Sequence, residues 1–181
     1  MNSPSHNGLV SAANGVERAI GAVCSLIILA TTLILLFVLG FNVVARYALE
    51  HGGLHWAGEV AEQLFPWMIA AGITLAVQHG AHIAVDILFS FLGPRATRVL
   101  AILIHVLVAV AYVVLLIVAL RVAEIVSIER SSILQVSRSW GYYALAFAAA
   151  GTAVGNLIIA LRVALVGLDG LPKASPEESP V

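Results

Sequence analysis

The run from Ala19 to Ala45 holds no ionisable residue. About 27 such residues make roughly 40 Å of helix, against a hydrocarbon core of ~30 Å. Such a segment fits a bilayer only by tilting or protruding. It is also longer than the apolar region of a cleaved signal peptide, which runs to about 7–15 residues. The whole chain agrees: 181 residues, 61% hydrophobic, 10% charged and a mean hydropathy of +1.02. A soluble domain carries roughly a quarter charged residues, so that class is excluded. A net charge of -1 leaves no basic footprint for nucleic acid.

Three further runs follow. Leu64–Val77 is only about 14 residues, or roughly 21 Å. It spans if its helix begins near Trp56, which places Glu59 and Glu62 in the first turns. Val99–Leu120 is interrupted by His105 alone, and Trp140–Leu161 has no ionisable residue. The reading is an all-α integral membrane protein with transmembrane helices over 19–46, 56–78, 97–121 and 140–163. Those helices form a membrane domain over 16–166. Residues 1–15 and 167–181 are polar or Pro-rich and predict disordered ends. Ile83–Leu92 either prolongs the second helix or lies in the interface before Gly93-Pro94 stops it.

An even number of spans puts both termini on one side. Arg18, Arg95, Arg98, Arg162 and Lys173 fall there, against Arg46, Arg121, Arg130 and Arg138 on the other. Five against four is too close for the positive-inside rule to settle orientation, and the count only leans to cytoplasmic termini. Tyr47, Trp56, Trp140, Tyr142 and Tyr143 gather at the face opposite the termini, as an interfacial belt does. An aromatic rim of this kind also suits a partner protein.

Ionisable groups beside hydrocarbon need a reason. Glu59 and Glu62, three apart, share one helix face. Paired carboxylates can hold a cation or relay protons. They also complement a helix N-terminus, and Arg46 lies across a short loop from them. The expectation is an Arg46–Glu59 pair that fixes the first hairpin. Pro66 predicts a bend. His79/His82 and His51/His55 have metal-compatible spacing but lack further clustered ligands, so no zinc site is expected. His105, alone at mid-span, suits a helix-packing hydrogen bond better than haem ligation, which needs facing histidines. Gly151 and Gly155 form a GxxxG, with Thr152 and Asn156 beside them, and predict close approach of another helix. The single Cys24 excludes an internal disulfide. No catalytic motif is visible, and no cofactor is called for. Four spans are few to enclose a solute pathway, which points to a subunit that supports something else.

The segment from Asn42 to Asp86 carries a resemblance. The first helix ends in N-x-x-x-R-Y (Asn42, Arg46, Tyr47). Trp56 and Glu59 then stand in a W-x-E-E-x-x-R frame, Phe65, Trp67 and Gly72 follow, and His82, Ile83, Val85 and Asp86 form H-I-x-V-D. Ser131–Leu145 adds S-x-x-L-x-V-S-x-x-W-x-Y-x-A-L. In order and spacing these resemble the DctQ-like small permease subunit of tripartite ATP-independent periplasmic (TRAP) transporters, over roughly residues 17–165. Gly58 stands where the family has a first glutamate, and Glu62 where it has a basic residue. Ala146-Phe147 stands where a proline often follows Ala-Leu.

The resemblance implies a four-helix, noncatalytic subunit of the bacterial inner membrane with cytoplasmic termini. Its implied partners are the lipid bilayer, a large DctM-like permease holding the substrate and ion sites, and a periplasmic DctP-like solute-binding protein. The implied process is ion-gradient-driven uptake of an organic acid. Arg46, Trp56, Glu59, Glu62, His82, Asp86, Trp140, Gly151 and Gly155 are the expected structural and interface residues. Two other readings stay open: a b-type haem membrane anchor of a redox complex, and a membrane assembly factor unrelated to transport.

Overall fold

A computed structural model describes residues 4–48, 53–78 and 93–168. Its helices are α1 (Pro4–Ala48), α2 (Trp56–Gln78), α3 (Pro94–Ile125) and α4 (Ser139–Val166). A 3₁₀ turn at Val126–Ile128 closes α3. All four helices are long and apolar enough to cross a membrane. Among the described residues there is no strand, only an isolated antiparallel bridge between Arg130 and Ser137. The fold is therefore all-α, with four membrane-length helices, as the apolar runs predict.

The ends of the helices follow local chemistry. Pro94 stands in the first turn of α3, where a missing N–H costs nothing. Thr97 closes that turn on the Gly93 carbonyl through both its N–H, at 3.0 Å, and its hydroxyl, at 3.1 Å. Helix α4 ends at Gly167, whose φ of +91° is a left-handed value that glycine adopts without strain. Inside α2, Pro66 removes one donor, and its ring lies near Gly141 of α4.

Helix α1 begins well before the expected residue 19 and includes residues 4–15, which the sequence had predicted to be disordered. Tertiary bonds hold this helix from Asn14 onward. Arg162 of α4 bonds the Asn14 side chain at 2.8 Å and pairs with Glu17. The Gln78 side chain donates to the Glu17 carbonyl at 3.2 Å. An apolar helix that already exists extends cheaply, because elongation adds one bond per residue fixed. The region beyond 168 and the Ile83–Leu92 stretch lie outside the described residues.

The helices pack in a row: α1 on α2, α2 on α4, and α4 on α3, with only slight contact between α1 and α4. Helix α4 is the centre. In its membrane window 61% of residues are buried, against 11% in α3 and 17% in α1. Its buried positions are mostly small, Ala144, Ala148, Ala149, Ala153 and Gly155 among them. Small residues let backbones come close where lipid offers no hydrophobic gain for association. Larger side chains fill the remaining space. Trp67 and Phe147 cover Ala70, Ala144 and Ala148 on the α2 side, and Ile159 and Val163 meet Ala101 on the α3 side.

Candidate functional site

Among the described residues the polar and aromatic groups collect at three levels: the terminal rim, a layer of the α3–α4 pair roughly 10 Å inside it, and the opposite rim. At the terminal rim, Arg162, Glu17, Asn14 and Gln78 join α4, α1 and α2. Arg98 of α3 donates to the carbonyls of Val163, at 3.2 Å, and Ala164, at 2.6 Å, near the C-terminus of α4. A cation there satisfies the Ala164 carbonyl, adds to the Gly167 N–H already on that of Val163, and complements the helix dipole.

In that inner layer, His105 Nδ1 lies 2.9 Å from Asn156 Oδ1, and both residues are buried. Asn156 spends its amide N–H on the Thr152 carbonyl at 2.9 Å. Its oxygen therefore faces the imidazole as an acceptor, and Nδ1–H donates. His105 thus joins α3 to α4. On the other side of α4, Gly151 and Gly155 take α2. A Cβ at Gly151 would lie 2.5 Å from Thr74 Cγ2, and one at Gly155 would lie 3.3 Å from Val77 Cγ1. The GxxxG is the seat of the α2–α4 contact.

The opposite rim holds most of the expected interface residues. Asn42 accepts from the Leu54 N–H at 2.7 Å, which ties the end of α1 to the segment leading into α2. Gly53 approaches Asn42 Oδ1 and Arg46 with a φ of +90°, so a side chain there would be both strained and crowded. Trp56 and Trp140 are partly exposed, and the Trp140 ring stands 5.1 Å from that of Trp67. Glu62, Glu129, Arg138 and Tyr142 line a cleft of about 290 Å³, in which Arg138 and Glu129 pair at 3.6 Å.

The expected Arg46–Glu59 pair is not formed. Arg46 is exposed. Glu59 turns instead to the α3–α4 loop, where its oxygens accept from Ile133 N at 2.9 Å and Leu134 N at 2.8 Å. Two adjacent backbone donors match the two oxygens of one carboxylate, whereas an exposed arginine keeps its hydration and side-chain freedom. His82 and Asp86 lie outside the described residues. Among those described, no three His, Cys, Asp or Glu side chains are close enough to hold a metal.

Sequence reading missed two partners, Ile133–Leu134 for Glu59 and Glu17 for Arg162. The second pair had a signal. Glu17 and Arg162 are opposite charges at the same membrane edge.

This frame ties the described helices together. The model of the family described as tripartite ATP-independent periplasmic transporters, DctQ component, matches residues 34–166. The chain belongs to the DctQ family. That family is a transporter component and not an enzyme family. The DctQ match takes in Asn42, Arg46, Trp56, Glu59 and the whole of α4. The chain is also similar to the uncharacterized protein y4mM of Sinorhizobium fredii, 35% identical over 128 residues. That alignment takes in 71% of this chain and 24% of y4mM, so the DctQ-like chain spans about a quarter of the length of this relative.

Proposed function

We propose that this chain is the small, noncatalytic membrane subunit of a TRAP transporter in a bacterial inner membrane. Its termini are cytoplasmic, and it scaffolds a large permease. The transporter takes up an organic acid, delivered by a periplasmic solute-binding protein, using an ion gradient. The observation that carries this reading is the shape of the four-helix unit. A row of helices with one buried member encloses no pathway, and it leaves wide apolar faces on α1 and α3. Faces of that kind extend a larger membrane body sideways, and the family match supplies the transporter to which that body belongs. A relative about four times as long as its aligned portion accords with a module that works against further polypeptide.

The test is co-purification and transport. The chain is expected to come out of detergent with a large permease and to be required for solute uptake in proteoliposomes that also receive the binding protein. Full uptake by the permease and binding protein without this chain would overturn the reading. Protease sites engineered into the two termini check orientation: cleavage only from the cytoplasmic side is expected.

A further inference from the structure

The loop between α3 and α4 ends in two adjacent apolar residues, Ile133 and Leu134, which are 51% and 37% exposed. Two apolar side chains at a loop tip ordinarily argue for a binding partner. Their depth identifies which one.

The terminal rim supplies a floor, because Glu17, Gln78 and Arg162 are bonded together and Arg98 is bonded to the end of α4. Glu59 stands about 19 residues above Gln78 on α2, or ~28 Å at 1.5 Å per residue. Trp140 stands about 22 residues above Arg162 on α4, or ~33 Å. The hydrocarbon core is ~30 Å thick, with headgroups beyond it. Two helices measured independently therefore put Glu59 and Trp140 at the boundary between hydrocarbon and headgroups. Helix α3 rises further, to Ile125 at ~40 Å above Arg98. The chain then folds back, and Glu59 holds the tip at its own level through Ile133 N and Leu134 N.

The hydrogen bonding of the loop suits that depth. Backbone donors placed away from water need protein acceptors. The two donors at the tip have the Glu59 carboxylate. Ser131 N donates to the Val136 carbonyl at 2.9 Å, Val136 N to the Ser131 hydroxyl at 3.1 Å, and Arg138 N to the Glu129 carbonyl at 3.0 Å. Arg130 folds onto the Gln135 carbonyl at 3.0 Å. Arg130 in the loop and Trp140 at a similar level on α4 are of the residue types that anchor at lipid headgroups.

We propose that Ile133–Leu134 is seated in the lipid interface, as a fixed membrane anchor of the α3–α4 loop, with Glu59 as its latch. The proposal does not depend on the transport reading. It leaves the loop with one face in lipid and its Glu129–Arg138 side facing away from the bilayer.

The test uses the full-length chain with Cys24→Ala and one nitroxide, at Ile133→Cys or at Leu134→Cys. The protein is held in nanodiscs of phosphatidylethanolamine and phosphatidylglycerol. Collision with oxygen, which partitions into lipid, is compared with collision with a water-soluble nickel chelate. Oxygen is expected to exceed nickel several-fold at 133 and 134, as at the lipid-facing reference Leu107→Cys. The order should reverse at Glu129→Cys. Nickel dominating at 133 and 134 would place the tip in water, and low values for both reagents would mean protein covers it. Either result overturns the anchor. Adding Glu59→Gln should raise nickel access at 133 and sharpen the nitroxide spectrum. An unchanged spectrum would remove Glu59 as the latch. Failure to co-purify with a permease would sink the transport reading and leave these measurements standing.

Discussion

Gly151 shows what one hydrogen atom does at a helix contact. Alanine there would gain about 1 kcal/mol in helix propensity. Its Cβ would also lie 2.5 Å from Thr74 Cγ2, inside any tolerable contact. Overpacking of that kind costs about 1–3 kcal/mol and outweighs the propensity. Gly151→Ala is therefore expected to lower the thermal midpoint in detergent, and Thr74→Ala should restore most of the loss. Gly155→Ala meets Val77 at 3.3 Å, a contact a small rotation can relieve, and should cost less. His105 and Asn156 are the other decisive pair. A double-mutant cycle with His105→Ala and Asn156→Ala should give a coupling of about 0.6 kcal/mol and no more than ~1.7, the range measured for hydrogen bonds between membrane helices. A coupling of zero would mean that the contact contributes only shape. The spacing of Gly151 and Gly155 was legible in the sequence, whereas Thr74 as their neighbour was not, since a GxxxG says only that some helix is near.

At the scale of elements, the two rims hold the helices differently. The terminal rim uses charge: Arg162, largely buried, is claimed by Glu17 and Asn14. Arg162→Ala should release the first turns of α1, read as faster amide exchange over residues 11–18 with α3 unchanged. Exchanging the two charges, Arg162→Glu with Glu17→Arg, should recover part of the protection. The opposite rim uses backbone donors, and Glu59→Ala should make the segment 129–138 more susceptible to protease without loosening α4. That α1 reaches back to Pro4 was not readable from a polar, Gly-containing terminus. The bonds that hold Asn14 and Glu17 come from Arg162, about 145 positions away, which no local propensity reports.

The whole molecule is built around α4, and burial decides how substitutions behave. Ile159 is 1% exposed, between α3 and α4. Ile159→Ala should lower stability by roughly 1–3 kcal/mol through lost packing. Leu107, on the open side of α3, is 67% exposed, so Leu107→Ala should stay within about 0.5 kcal/mol in the isolated chain. Thermal unfolding in detergent checks both. The same pair also separates folding from assembly. A substitution on an open face that leaves stability intact and abolishes capture of the permease marks the docking side. Among the described residues α1 and α3 carry the widest open apolar faces, with a smaller one at Phe65, Ile69 and Ile73 of α2. On the proposed reading such substitutions tell which of them a permease takes.

Hydropathy and length alone settled that the chain has four membrane-length helices, because a bilayer admits few ways to satisfy a backbone. The motifs from Asn42 to Asp86, together with the one from Ser131 to Leu145, carried the family resemblance by their order and spacing, and the family match over residues 34–166 bears it out. Side-chain partners were decided only in three dimensions. Arg46 and Glu59 are near in sequence and opposite in charge, yet Glu59 binds the backbone at 133–134, some 75 positions away. The direction a carboxylate takes depends on which donors the packed helices bring beside it. That placement follows from the row α1–α2–α4–α3, with Gly151 and Gly155 setting how closely α2 lies on α4.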